Sequence, residues 1–474
     1  MTFFENYAIL LHDYTIEIRY RSILLQFQHG KVDFYSMAIK ITRPQGTEDI
    51  TPKNIYKWHT VERLARETAE TFGFQEMRIP TFEQTDLFLR SVGETTDVVQ
   101  KEMYTVKAYE TEFTLRPEGT AGTIRSMIQN GLLNDALPQK AYYILSCFRH
   151  ERPQAGRLRE FHQFGVEMAG SAGPESDADI IVLAKAILDR VGLKNIVLHL
   201  NSIGCPSCRK DYHEALIAYF TPHRETLCET CQTRLEKNPM RLLDCKSPIC
   251  SEIAKDAPLI TDYLCTDCQT HFTKLQEYLK IMNIDFMVDP KIVRGLDYYT
   301  KTVFEFISSD IGAQATVCAG GRYDGLIAEL GGKPMPAIGF ALGLERLVMT
   351  MENQDCEFEK PKPCDLFLAP MEPDAIILTM QLASTLRKIG YKVEYDLMHR
   401  SLKAQMKYAN KIGTTFVMVI GENELQTKQA NLKNMETGEE ISMQLDKNFI
   451  EKFDDLAIQY MFQDVVDDME KELK

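Results

Sequence analysis

Past Pro361 and Pro363 the apolar pattern of the chain changes rhythm, and this break constrains the fold more than any other feature. Residues 365–369, 392–395 and 416–420 are short strand-like runs, and residues 375–389 and 402–412 between them repeat at helical spacing. Strand and helix alternating in order predict a small α/β domain on a mainly parallel sheet, because parallel neighbours need a helix-length crossover. A chain of 474 residues also exceeds what one core organises. The second domain is therefore placed at residues 361–450. An acidic tail at 451–474 carries Asp464, Asp467, Asp468, Glu470 and Glu472, and is expected to be a solvated helix or a frayed end.

The first domain is placed at residues 37–360. Residues 1–36 stand apart as an N-terminal extension; Met37 offers a second start, and a misread upstream start is favoured over a true extension. Thr51 is predicted to cap a helix with Pro52 in its first turn, Ile55, Trp58, Val61, Leu64 and Ala65 on its apolar face and Gly73 after its end. A strand over 74–79 should stop at Pro80. Residues 142–148 and 161–168 read as a hairpin around the charged loop 152–159. Residues 304–307, a turn-rich stretch from Cys318 to Tyr323, and a helix around 339–349 return to this core.

The composition, 44% hydrophobic and 26% charged, is that of a soluble protein, and no apolar run is long enough to span a bilayer. The N-terminus lacks a basic n-region, so no signal peptide is expected and the cytoplasm is the default. A net charge of -14 argues against a surface that grips nucleic acid everywhere, while leaving room for local basic patches.

Eight of the twelve cysteines fall between Cys205 and Cys268, inside a mostly helical stretch, 201–282, that reads as an inserted module. Cys205 and Cys208, Cys228 and Cys231, and Cys265 and Cys268 have ligand-type spacing, with Cys245 and Cys250 as a looser fourth pair. Eight thiolates can build two tetrahedral zinc sites; the alternative is reduced, buried cysteine. Spacing does not say which cysteines share an ion.

Four other segments place arginine and carboxylate where a plain core would hold neither. These are Leu115-Arg116-Pro117-Glu118-Gly119-Thr120; Phe148-Arg149-His150-Glu151-Arg152, running on to Phe161-His162-Gln163-Phe164-Gly165-Val166-Glu167; Arg294-Gly295-Leu296-Asp297-Tyr298-Tyr299, followed by Glu305; and Gly339-Phe340-Ala341-Leu342-Gly343-Leu344-Glu345-Arg346. On a strand over 161–167 the period of two puts Gln163 and Glu167 on one face with Gly165 between them, which leaves floor space for a ligand.

Taken in order, these segments resemble motifs 2 and 3 of the class II aminoacyl-tRNA synthetases, and Ile79-Pro80 with its preceding helix resembles motif 1. The tracts RGLDYYTKTVFEF and AGGRYDGL are similar to the two signature stretches of the histidyl-tRNA synthetase family, and the resemblance runs from about residue 39 to residue 450. It implies an α+β catalytic domain on an antiparallel sheet of class II synthetase type, a helical cysteine-rich insertion, and a C-terminal α/β anticodon-binding domain. The implied substrates are ATP with Mg²⁺, L-histidine and tRNA(His). Arg149 is expected at the α-phosphate, Arg346 at the γ-phosphate, and Arg294 between α-phosphate and substrate carboxylate. Glu118, Thr120 and Gln163 are assigned to the histidine ammonium group, Glu167, Tyr298 and Tyr299 to its imidazole, and Gly119 to the same histidine site.

For tRNA, the loop with Arg152, Gln154, Arg157 and Arg159 should meet the acceptor end, and Arg400, Lys403, Lys407 and Lys411 should form one helix face in the anticodon-binding domain. A homodimer through residues 58–80 is also implied. Many members of the family lack the cysteines of the insertion, so that module is a departure, and any metal it holds is expected to be structural rather than catalytic. A non-ligating regulatory paralogue, of the kind that partners ATP phosphoribosyltransferase, would typically have lost signature residues that are all present here.

Overall fold

The structure, a computed structural model, describes residues 41–472 except 94, 95, 97 and 309–315, with side chains to residue 460 in the final helix. The expectation for residues 1–36 lies outside the described residues. The chain divides into two compact units, Met1–Glu357 and Phe358–Lys474. Among the described residues no helix is long and apolar enough to cross a membrane.

Among its described residues the first unit has eleven strands in chain order: β1 (Gln75–Glu76), β2 (Phe82–Gln84), β3 (Thr105–Ala108), β4 (Thr111–Leu115), β5 (Gln139–Phe148), β6 (Glu160–Ala169), β7 (Ile196–Ser202), β8 (Phe286–Val288), β9 (Thr300–Ser308), β10 (Thr316–Arg322) and β11 (Ala337–Gly343). Eight of them form one sheet in the order β1-β5-β6-β11-β10-β9-β7-β8, while β2, β4 and β3 pair separately. From β5 to β7 every neighbour is antiparallel. Only the short edge strands β1 and β8 join in parallel.

Two stretches depart from the sequence reading for one physical reason. Cys318 to Tyr323 was expected to turn, and residues 339–343 to be helical; both are the central strands β10 and β11. A Cβ on Gly320 would run into the Gly339 carbonyl, and one on Gly339 into the Val166 carbonyl. These glycines serve close approach of backbones inside the sheet rather than a reversal of the chain. The helix of that segment, Leu344–Asn353, begins only after Gly343.

The first long helix spans Ile55–Thr71, with Asn54 and not Thr51 in front of it. The Thr51 carbonyl first accepts the amides of Asn54 and Ile55, both at 2.9 Å, so Pro52 sits in a turn before the helix. Val61, Ala65 and Ala69 are fully buried beneath it. Its end is as expected: Gly73 has φ +80°, and the Phe74 amide reaches back to the Ala69 carbonyl at 3.1 Å. The strand that follows is much shorter than expected, only Gln75–Glu76.

Between the parallel pair β7 and β8 the chain makes its crossover through the cysteine-bearing helices Pro206–Phe220, Glu229–Lys237, Pro248–Ile253 and Thr266–Ile281. The last of these is tied to the sheet by a buried relay. His271 Nε2 lies 2.7 Å from Asp177 Oδ2, and Asp177 pairs with Arg322, whose side chain is wholly enclosed. Arg322 also donates to the Ser171 and Gly173 carbonyls and to Ser176 Oγ, so its charge is buried with its donors satisfied.

The second unit adds β12 (Leu366–Pro370), β13 (Val393–Tyr395), β14 (Phe416–Ile420), β15 (Gln429–Asn434) and β16 (Glu440–Gln444), ordered β13-β12-β14-β15-β16. The first three are parallel, as the alternation predicts. The β15–β16 hairpin adds antiparallel edge strands, so the sheet is mixed rather than mainly parallel. The final helix runs Phe449–Glu472, and Phe449, Phe453 and Ala457 are buried in this unit's core. The first turns of the stretch read as an acidic tail are therefore a packed element.

Candidate active site

A cavity of about 500 Å³ opens over the middle of the large sheet. Its size suits a small-molecule site. Its walls bring together Glu118, Thr120, Arg149, Gln163, Arg294, Tyr298, Tyr299 and Arg346, residues spread over more than two hundred positions of sequence.

Each is placed by the element beneath it. Glu118 precedes the helix Thr120–Gln129, and its carboxylate accepts the amides of Thr120 at 2.6 Å and Ala121 at 2.9 Å. The carboxylate thus satisfies open N–H groups of the first helical turn. Gly119 has no space for a side chain, because a Cβ there would overlap the Tyr143 ring. Arg149 leaves the end of β5, donates from Nε to the Pro117 carbonyl at 2.9 Å, and lies 5.3 Å from the Phe161 ring centroid. Arg346 sits in the first turn of its helix and donates to the Thr316 carbonyl at 2.6 Å. Glu345 beside it accepts the His162 amide at 3.0 Å and meets His162 Nδ1 at 2.7 Å, which ties that turn to β6. The Glu345 hydrogen bond raises the His162 pKa above its ordinary value.

Arg294 pairs with Glu305 on β9 and lies 5.7 Å from the Tyr299 ring centroid. Glu305 in turn accepts Thr316 Oγ1 at 2.7 Å, so the guanidinium is fixed against the sheet. A planar cation held this way can meet a carboxylate or phosphate with two parallel hydrogen bonds.

Glu167 lies below the cavity wall rather than on it and is 1% exposed. Tyr143 donates to its Oε1 at 3.1 Å and Tyr323 donates to its Oε2. Burial raises its pKa to about 8 against these two donors. The floor space foreseen above Gly165 is filled: a Cβ at Gly165 would overlap the Tyr143 ring. The tyrosines, not open volume, separate Gln163 from Glu167. Tyr298, Tyr299 and Tyr323 pack together with ring centroids 4.6 to 6.3 Å apart. Cys147 is fully buried nearby, and burial pushes its thiol up to about 12, so it is no nucleophile here.

Several lining residues were not assigned from the sequence. Tyr143, Tyr323, Glu151, Asp244, Lys246 and Glu305 all line the cavity. A signal existed for Tyr143: in the β5–β6 register it stands opposite Gly165, and a large residue across from a glycine covers it. None existed for Asp244 and Lys246, which arrive from the crossover.

The proposed tRNA contacts are divided. Arg152 and Gln154 are exposed on the β5–β6 loop. Arg157 instead turns inward to pair with Glu151, and Arg159 donates to the Glu151 carbonyl at 3.1 Å. Lys403, Lys407 and Lys411 are exposed on the helix Leu402–Lys411. Arg400 precedes that helix, pairs with Asp396 at 2.7 Å and lies 4.5 Å from the Tyr408 ring centroid, so it does not continue the lysine stripe. The eight cysteines form two groups, Cys205, Cys208, Cys265 and Cys268, and Cys228, Cys231, Cys245 and Cys250, each able to hold a metal ion.

Comparison with known proteins bears on the same regions. The family described as Histidyl-tRNA synthetase matches residues 46–206 and 250–347, and an anticodon-binding domain matches 365–455. A curated relative from Caldanaerobacter subterraneus subsp. tengcongensis, named histidine–tRNA ligase, is 53% identical over 85% of this chain and 97% of its own. One of the same name from Clostridioides difficile is 52% identical over 85% and 96%. The solved structure of apo histidyl-tRNA synthetase from S. aureus is 37% identical, with a TM-score of 0.74 over 87% of this chain and 99% of that one. With the antiparallel sheet, the ordered arginines and the C-terminal module already in view, these matches establish that the chain belongs to the histidyl-tRNA synthetase family.

Proposed function

We infer that the cavity activates L-histidine with ATP and passes the histidyl group to the 3′ end of tRNA(His). A histidine carboxylate oxygen attacks the α-phosphorus, the bond to the β-phosphate bridging oxygen breaks, and pyrophosphate leaves with the electron pair. The 3′-terminal ribose hydroxyl then attacks the acyl carbon, AMP departs, and the hydroxyl proton passes to the leaving phosphate or to solvent. Such displacements ask the protein mainly to position reactants and offset spreading negative charge.

The observation that carries this reading is the convergence of Arg149, Arg294 and Arg346 on one cavity lined by tyrosines, with Glu167 hydrogen-bonded behind two of them, Tyr143 and Tyr323. Arg149 would meet the α-phosphate, Arg346 the γ-phosphate, and Arg294 both α-phosphate and substrate carboxylate. Glu118, Thr120 and Gln163 would accept from the ammonium group. Glu167, aligned by Tyr143 and Tyr323, would accept an imidazole N–H, with Tyr298 and Tyr299 enclosing the ring. Glu151, Glu305 and Glu345 offer the oxygen ligands that suit a Mg²⁺ ion arriving with ATP. Structural zinc would occupy the thiol groups.

Arg152 and Gln154 would contact the tRNA acceptor end, and Lys403, Lys407 and Lys411 the anticodon arm. A homodimer through residues 58–80 and a cytoplasmic location complete the reading. The test of the pocket is histidine-dependent ATP–pyrophosphate exchange in Glu167→Ala. Exchange should be lost while circular dichroism stays that of the wild type; normal exchange in this variant overturns the assignment of Glu167.

A further inference from the structure

The crossover is joined to the cavity by more than chain connection. Cys245 lies between Asp244 and Lys246, both of which line the cavity. A few residues earlier, Arg241 donates to the Gly295 carbonyl and Asn238 Nδ2 donates to Asp297 Oδ1 at 3.0 Å. The stretch between Cys231 and Cys245 therefore grips the tract that carries Arg294, Tyr298 and Tyr299. The family match skips residues 207–249, so this grip belongs to a part of the chain the general family pattern does not specify.

The thiols that bracket that stretch have the geometry of a metal site. In each group of four cysteines all sulfurs lie within 4.8 Å of one another. Cys228 and Cys245 sulfurs are 3.8 Å apart, Cys205 and Cys208 3.6 Å, and Cys205 and Cys265 4.0 Å. Tetrahedral zinc with sulfur at about 2.3 Å sets sulfur atoms about 3.8 Å apart, whereas a disulfide needs about 2 Å. Cys205, Cys228 and Cys265 each stand just before a helix, with their partners Cys208, Cys231 and Cys268 in its first turn. The backbone amide of Cys228 donates to Cys250 Sγ at 3.2 Å and that of Cys265 to Cys208 Sγ at 3.1 Å, the outer hydrogen bonds that orient metal-bound thiolates.

We propose that Cys228, Cys231, Cys245 and Cys250 bind a zinc ion that braces the Arg294–Tyr299 wall of the active site, while Cys205, Cys208, Cys265 and Cys268 bind a second zinc that clamps the two ends of the crossover. The sets are nested along the chain, the second enclosing the first. Coupling to catalysis rests on the function proposed above; the metal sites do not.

The test begins with full-length protein purified without a metal-binding tag. Elemental analysis should find two zinc ions per chain, and Co²⁺ reconstitution should give the sulfur-to-cobalt charge-transfer bands of tetrahedral thiolate sites. A stoichiometry near zero, with no such bands, overturns both sites. Cys245→Ser and Cys265→Ser should each keep one zinc; retention of both in either variant overturns the partition. In Cys245→Ser, kcat for histidine-dependent exchange should fall at least tenfold at unchanged helix content, and Cys245→His, which restores a zinc ligand, should recover most of it. Cys265→Ser should lower Tm with a smaller loss of kcat. Loss of the zinc in Cys245→Ser with full kcat, or a greater kcat loss in Cys265→Ser, overturns the bracing role. If Cys245→Ser does not fold, chelator titration of the wild type reads the same link: histidine binding should fall as zinc leaves, and binding that survives removal of both ions refutes it. Wild-type exchange with histidine, run alongside, separates a failure of this proposal from a failure of the proposed function.

Discussion

The large sheet and the crossover beside it hold their side chains in place by different means. In the sheet, the ten-residue strands β5 and β6 pair along their whole length, and the Arg322–Asp177–His271 relay is buried with its partners supplied. Such a frame fixes Gln163, Glu167 and Arg149 through its own hydrogen-bond ladder. The crossover contains α-helices of 15, 9, 6 and 16 residues joined by segments with 3₁₀ turns. Isolated helices below ~12–15 residues are marginal in water, so the two short ones depend on their surroundings. Their buried thiols, Cys231 and Cys250, lie where a larger core would place aliphatic side chains. A ladder can specify a site by itself, whereas short helices that support one need a cross-link, and metal binding to such a module contributes directly to its folding free energy.

This contrast can be broken at several points. The largest effect is expected at the relay. Arg322→Ala leaves Asp177 buried without its main partner and should cost about 3–5 kcal/mol of stability, read as a lower denaturation midpoint. A cost below about 1 kcal/mol would mean that the relay does not hold the sheet to the last crossover helix.

Next comes the charge clamp. Arg294→Ala should lower kcat for pyrophosphate exchange about a hundredfold, equivalent to about 3 kcal/mol of transition-state stabilisation. Its denaturation midpoint should move far less than that of Arg322→Ala. Unchanged kcat with a raised KM would recast Arg294 as a ground-state binding group.

A smaller effect lies in pH dependence. The folded pKa of Glu167, about 8, stands above its ordinary 4.5. The stability linked to its proton is therefore full below the ordinary value and lost as pH rises through 8. Catalysis should run the other way, since the carboxylate accepts an imidazole N–H more strongly than the protonated acid does. The kcat/KM for histidine should climb towards pH 8 by at most about tenfold per unit, and Glu167→Gln should flatten that limb. A limb that persists in the variant belongs to another group.

The smallest effect is at the anticodon-type unit. Lys403→Ala with Lys407→Ala should weaken tRNA binding several-fold and reduce its salt dependence by roughly one to two units of log–log slope. Pyrophosphate exchange, which needs no tRNA, should be untouched. An equal loss in both assays would place the lysines in folding rather than in recognition.

Much of this architecture was legible because the signals were periodic or ordered. The β5–β6 hairpin, the parallel β13-β12-β14 core and the Gly73 helix stop all follow from local pattern. The central strands β10 and β11 were misjudged because glycine in sequence marks a turn more often than the close approach of two backbones. Arg400 looked like part of a lysine stripe because spacing does not reveal that Ser401 precedes the helix or that Asp396 holds the guanidinium. Eight of the ten pocket residues assigned from ordered motifs line one cavity, Gly119 and Glu167 being the exceptions, yet Tyr143, Tyr323, Asp244 and Lys246 depend on strand register and on the path of the crossover. Local pattern finds the charged groups; long-range packing decides what surrounds them.

The most direct measurement is ATP–pyrophosphate exchange by the wild-type chain, screened against every standard amino acid. Exchange with histidine alone is the expected result. Exchange driven by a different amino acid, or by none, would contradict a pocket built for triphosphate and imidazole together.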